Sequence, residues 1–256
     1  MKHLNSRFPL RSTLWLFALW LSLSAHAQTY PQKPIRLLVP FAPGGSTDLV
    51  ARIVADPLGK LLGQTVVVEN KPGGGGVVGA LEVAKAAPDG YTLGLTTASS
   101  AATNPAINPN VGYKPLTDFT PIINMVATPN VLAVHPSFPA KDMAGFLKVV
   151  RANPGKFDYA SSGTGGIGHL QMELFKTLSK TFVVHIPYPG AGPALRDVVG
   201  GQVPIVFDNL PSAMPHIQGK RLVALAVASS SRVPELPDVP TFKELGLEGV
   251  NRPALY

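Results

Sequence analysis

Two glycine-broken turns carry the residues best placed to do chemistry in this chain: Val39-Pro-Phe-Ala-Pro-Gly-Gly-Ser-Thr-Asp48 and Ser161-Ser-Gly-Thr-Gly-Gly-Ile-Gly-His169. Each lies between a strand-like and a helix-like run. Glycines at the start of a helix leave backbone N–H groups uncovered at the positive end of its dipole, and such a site favours a carboxylate or phosphate. In the first turn Pro43 pre-sets the backbone, Gly44 and Gly45 admit a ligand closely, Ser46 or Thr47 can cap the helix, and Asp48 offsets the dipole. In the second, Ser161, Ser162 and Thr164 supply hydroxyls and Gly163, Gly165, Gly166 and Gly168 expose N–H groups. A bland reading, a tight strand-to-helix turn, stays open for the first turn taken alone.

Other chemistries fit less well. Neither turn has the Lys that a nucleotide phosphate loop places after its last glycine. The dinucleotide fingerprint also matches poorly, so no nucleotide cofactor is expected. His169 invites a secreted α/β hydrolase reading with Ser161 or Ser162, but the Gly-x-Ser-x-Gly spacing of a strand-to-helix nucleophile is missing. The other reading of His169 is a hydrogen-bonding residue at a helix start. His135, His169, His185 and His216 have no ligand-like spacing, and no metal is expected. Tyr188, within a further glycine turn before a helix, could stack on a ligand or simply pack. Asp208, just past an apolar strand, could face a ligand at the strand's carboxyl end or serve as a cap.

The elements that must hold these turns alternate from the start. Residues 35–39 read as a strand, 47–62 as a helix loosened at Pro57 and ended by Gly63, and 65–69 as the next strand. Leu49, Val50, Ile53, Val54, Leu58, Leu61 and Leu62 predict one apolar face on that helix. A helix opened by Asn70-Lys-Pro-Gly-Gly-Gly-Gly76 and running to about Ala86 and a strand over 91–96 complete a βαβαβ pattern, the mark of a parallel sheet. Residues 98–115 lack periodicity and read as a crossover. Beyond an extended stretch at 121–135, helices near 143–151, 167–178 and 191–199 alternate with strands near 157–160, 183–186 and 203–207. The apolar run Leu222–Ala228 reads as a strand that could return the chain to the first lobe. The expected fold class is therefore α/β, with residues 28–118 and 222–256 in one lobe and 119–221 in a second.

Composition bounds the setting. Lys2, Arg7 and Arg11, the apolar stretch from Leu14 to Leu23 and Ala25-His-Ala27 predict a signal peptide over residues 1–27, cut before Gln28. The apolar run is only about half of the roughly 20 residues that span a bilayer. With no Cys among 256 residues there is neither a lipidation site nor a disulfide framework, so the mature protein is expected to be soluble and exported. Loss of three basic residues lowers the net charge from +7 to +4, which suits a small anion and does not call for nucleic acid.

Set in order, Pro34-Ile-Arg-Leu-Leu-Val-Pro-Phe-Ala-Pro-Gly-Gly-Ser-Thr-Asp48, Val67-Val-Glu-Asn-Lys-Pro-Gly73, Pro88-Asp-Gly-Tyr-Thr-Leu93, Ser161–Leu170, Gly200-Gly-Gln-Val203 and Phe207-Asp-Asn-Leu-Pro211 resemble the Bug family, the TctC-like periplasmic receptors of tripartite tricarboxylate transporters. The resemblance spans about Tyr30 to Gly249. It implies a type II periplasmic-binding-protein fold that clamps a small carboxylate between two lobes, works as a monomer, and hands the solute to membrane transporter subunits or a sensor ectodomain. Carried over by motif, the binding residues are Phe41, Ala42, Pro43, Gly44 and Asp48, then Ser161, Gly163, Thr164, Gly165 and His169, with Tyr188 and Asp208. Pro189 stands where relatives carry Lys, and Pro204 where an Asp is usual. Relatives also run on for roughly 70 residues past Tyr256, so a chain ending there is expected to have a thin first lobe, weaker stability and, as one alternative, little binding.

Overall fold

The computed structural model describes residues 30–256; the expected signal peptide lies outside them. Among the described residues, alternating apolar runs and glycine turns build two main sheets, beside which lies one two-stranded ribbon. In the first, β1 (Ile35–Val39) lies between β2 (Val66–Asn70) and β3 (Thr92–Gly94), parallel to both. α1 (Ser46–Leu62) covers one face and ends at Gly63, whose φ of 68° is the left-handed conformation a helix C-cap favours. Pro57 is accommodated inside α1 without ending it. The predicted single apolar face of α1 divides in two. Val50, Leu58 and Leu62 pack with Ala51 and Ala55 on the sheet, whereas Leu49, Ile53 and Leu61 point outward, because seven apolar residues in 14 span more of the helix than one sheet can cover.

The next helix follows directly on the glycine run that was expected to open it. Gly73 to Gly76 all have positive φ, so the chain turns through a short 3-10 segment before α2 (Val77–Ala84) starts. The aperiodic crossover also contains structure: a π turn over Ser99–Thr103 leads into α3 (Asn104–Ile107).

The second sheet has the order β7-β6-β8-β5-β9. β4 (Ala127–Thr128) precedes β5 (Asn130–Val134); then come α4 (Met143–Ala152), β6 (Asp158–Ser161), α5 (Ile167–Ser179), β7 (Val184–Pro187), α6 (Ala191–Val199), β8 (Ile205–Asn209), α7 (Leu210–Gln218) and β9 (Val223–Ala228). β6 runs parallel to β7 and β8, and β5 runs antiparallel to β8 and β9. The return to the first lobe predicted at Leu222–Ala228 is therefore corrected: β9 is an edge strand of the second sheet, apolar throughout because both of its faces are covered. α7 was missed in the sequence because Pro211 and Pro215 read as turn residues. Pro211 sits in the first helical turn, where its missing N–H costs nothing, and Pro215 lies within the helix.

Alternation along β5 explains the two-sided core. Leu132 and Val134 join Phe146, Tyr159, Phe175, Phe207 and Phe242 beneath α4 and α5, while Val131 and Ala133 face Leu195, Val198 and Leu210 beneath α6 and α7. β10 (Ala254–Leu255) pairs with β4, antiparallel, and so brings Tyr256 against the carboxyl end of β8.

Candidate functional site

The ends of β1, β3, β6 and β8 open onto one small cavity of about 20 Å³, room for a single water. Its wall is assembled mostly where strands become helices: Phe41 and Gly45–Thr47 before and into α1, Thr97–Ser99 after β3, Ser162 and Ile167 at the start of α5, Ala191 opening α6, and Asp208 and Asn209 ahead of α7. Ala254, Leu255 and Tyr256 close the remaining side. The first residues of α1, α5 and α6 and the residue preceding α7 thus line one space, and the unsatisfied N–H ends of helices are where an anion is held. Among the described residues, no Lys, Arg or His lines the cavity.

Of the binding residues carried over by motif, Phe41 and Asp208 line this cavity, as do Gly45, Ser46, Thr47 and Ser162 from the two glycine turns. The others support it from behind. Gly44, at φ 89°, donates its N–H to the Asp48 carboxylate at 3.1 Å, and Arg52 and Asn70 bind the same carboxylate. Burial works to raise the Asp48 carboxyl, yet these hydrogen bonds outweigh it and hold the group below its usual range. Asp48 thereby fixes the shape of the first turn. Asn70 also donates to the carbonyl of Phe41, at 2.9 Å, tying the turn to β2. The capping role expected of Ser46 or Thr47 is not what the hydroxyl of Ser46 does: Gly45 occupies the cap position, and Ser46 Oγ lies 3.0 Å from Ser212 Oγ on the other side of the cavity.

The second turn is held by two histidines. Ser161 is fully buried, with its Oγ 2.7 Å from His185 Nε2, and it accepts the N–H of Gly163. Gly165 donates its N–H to His169 Nδ1 at 3.2 Å. The His169 and His185 rings stack at 4.2 Å, and Tyr159 stacks on the far side of His185. Burial, reinforced by the neighbouring His169, pushes His185 down to about 4; burial also lowers His169. Both are therefore neutral at pH 7 and act as fixed acceptors or donors. The partner of Ser161 is His185, not His169, and among the described residues no carboxylate hydrogen-bonds His185, so the third member of a hydrolytic triad is missing. Tyr188 donates its hydroxyl to Asp197 at 2.6 Å and packs with the α6 core.

The two turns do not face each other directly. Ala42, Pro43 and Gly44 press against Gly190–Gly192, with the Ala42 N–H donating to the Pro189 carbonyl at 3.1 Å. Gly163 and Thr164 press instead against Gly75 of the glycine turn before α2. Asn104 joins these parts, donating from Nδ2 to the carbonyls of Gly75, Ser99 and Gly165 at 3.0 to 3.3 Å. Thr97–Ser99 escaped the sequence reading, whereas Asn209, which follows Asp208 at the same strand end, did not. The strand-end rule that singled out Asp208 would have found Thr97–Ser99 had it been applied to β3 as well.

Comparison with known proteins places this arrangement. The family model described as the tripartite tricarboxylate transporter family receptor matches residues 50–255. The chain is 41% identical over 221 residues to the protein BugT of Bordetella pertussis, covering 86% of this chain and 68% of that one. A 37% identical relative from Agrobacterium vitis covers 97% of this chain and 71% of its own length. The chain thus spans about two thirds of the length of the curated relatives it matches. Among solved structures, a periplasmic transporter superposes with a TM-score of 0.87 at 52% identity, covering 88% of this chain and 76% of that one. MatC from Rhodopseudomonas palustris with bound malate gives 0.84 at 36% identity, with 88% and 77% covered. A second R. palustris protein, solved with adipate, gives 0.85 at 38%, with 88% and 76% covered. These relatives are solute-binding receptors rather than enzymes, and among the described residues no helix is long and apolar enough to cross a membrane. The chain belongs to the tripartite tricarboxylate transporter receptor family, the TctC or Bug receptors, and has their α/β periplasmic-binding-protein fold.

Proposed function

We propose that this protein is a soluble periplasmic receptor, monomeric after removal of residues 1–27, that captures a small carboxylate and delivers it to tripartite tricarboxylate-type transporter subunits or to a sensor. The two sheets with their helices act as its lobes, and the cavity between them is the solute site. One observation carries this reading: four helix starts and a set of hydroxyls converge on a cavity with no cationic side chain. Such a site holds an anion through backbone N–H groups and O–H donors.

The malate and adipate bound by two structural relatives are the reason to name carboxylates. A cavity of about 20 Å³ is too small for any of these, so solute enters when the lobes separate and is enclosed when they close. Calorimetry and thermal shift of the purified protein against di- and tricarboxylates, aromatic acids, acidic amino acids and nicotinate test the proposal. Stoichiometric binding of at least one acid, without product, is expected. Silence toward the whole panel, or turnover of any member, overturns it.

A further inference from the structure

Among the described residues, Asp208 is the only one lining the cavity whose side chain carries a charge at neutral pH, and it is 3% exposed. It lies one residue before the end of β8 with its Oδ2 accepting the Ser212 hydroxyl at 2.6 Å, and the Asn209 N–H also donates to the carboxylate. Ser212 in turn accepts the Ser46 hydroxyl, so the carboxylate sits where the two sides of the cavity meet. Among the described residues no Lys, Arg or His forms an ion pair with it.

A buried carboxylate without a cation is costly, and structures keep one where it has a partner to receive. The starts of α1, α5 and α6 line the same cavity and favour negative charge. The cavity therefore offers both kinds of partner, N–H and O–H donors for a carboxylate and one anionic acceptor for a donor on the solute. A second ionised carboxylate placed against Asp208 would face like charge with no cation to offset it.

Resting on the reading of this site as a carboxylate receptor, we propose that its solute is an acid that also bears a hydroxyl or ammonium group, and that Asp208 accepts that donor. Burial pushes the Asp208 carboxyl up to about 6, so at pH 7.5 the group is an acceptor only. Unsubstituted diacids then have nothing to give it. Asp208 becomes the residue that separates substituted from unsubstituted acids of equal length.

The test is calorimetry at pH 7.5 with matched sets differing only at one carbon: succinate, malate and aspartate; glutarate, 2-hydroxyglutarate and glutamate; adipate and 2-aminoadipate. In the set that binds, the substituted acid is expected to bind at least ten-fold tighter than the unsubstituted one. In Asp208→Asn that ratio is expected to fall below three, with the unsubstituted acid gaining affinity as the like charge disappears. Equal affinities within the binding set overturn the inference and leave the receptor reading standing, and they do so in the wild-type protein whether or not the variant folds. A ratio unchanged in a variant with a native melting profile also overturns it. Failure of every set together with the wider panel overturns both readings.

Discussion

Gly190→Ala is the substitution that most directly probes the contact between the two sides of the cavity. A Cβ at residue 190 would lie 2.7 Å from the Ala42 nitrogen and 3.1 Å from the Ala42 Cβ. Reaching ordinary contact at 3.4 Å requires the two segments to part by roughly 0.7 Å. That movement stretches the Ala42 to Pro189 hydrogen bond, now 3.1 Å, and the two bonds linking Ser46 and Ser212, at 3.0 and 3.1 Å, beyond useful length. Three such bonds are worth about 3 kcal/mol together, at about 1 kcal/mol each. Against this stands the gain of up to about 1 kcal/mol that alanine brings by restricting the unfolded chain, since residue 190 has an extended backbone that any residue can adopt. The clash wins by about 2 kcal/mol, and for a chain of this size that lowers Tm by about 4–8 °C. Differential scanning calorimetry of the wild type and variant measures it. A Tm equal to or above that of the wild type would show that residues 42 and 190 do not touch in solution and would refute the closed arrangement from which the magnitude was worked.

Three further outcomes follow from contacts already described. Asn104→Ala removes a buried amide that serves three carbonyls and is expected to cost about 2 kcal/mol, read as a shift of the urea midpoint at constant m; a change below about 0.5 kcal/mol would contradict the pinning role. Arg36→Ala breaks the paired bonds to Glu69 and the bond to Glu82 on a half-exposed surface, so only a small loss of stability is expected, shrinking further in 1 M salt; a loss unaffected by salt would point away from electrostatics. His185 has a lower pKa folded than unfolded, so the folded protein binds fewer protons between about 6.5 and about 4; the stability it contributes is present above that window and is lost as pH falls through it. Denaturation midpoints taken from pH 7.5 to 4 should therefore fall less steeply in His185→Gln, and parallel curves would dismiss the histidine as the cause.

Most of the architecture was legible because it rests on local patterns. Local runs placed β1, β2, β6, α1, α5 and α6 within a residue or two, and Gly63 marked the end of α1 as a left-handed cap must. What failed were features decided by partners far away in sequence. An all-apolar strand such as Leu222–Ala228 states that it is buried on both faces but not in which sheet, and pairing with β5 settled that. Pro211 and Pro215 disguised α7, since proline reads as a breaker unless its place in the first turn is known. The site was legible by position more than by residue. Both glycine turns do border the cavity, yet Ser161, Gly163, Gly165 and His169 bond one another behind its wall, and Ser46, Ser99 and Ser162 form the wall itself. Which member of a hydroxyl-rich turn faces inward depends on strand register and on the histidine stack, and a linear motif encodes neither.

Where the two sides meet, the touching atoms are largely main chain: Ala42 and Pro43 against residues 190–192, and residue 75 against residues 163–166. The wall of the cavity, by contrast, includes many residues with polar side chains, Thr97, Ser99, Ser162, Asp208, Asn209 and Tyr256 among them. The two tasks are thus written in different alphabets. A descendant of this protein can change its solute by exchanging wall residues one at a time while the shutting surface, built from backbone and glycine, remains as it was.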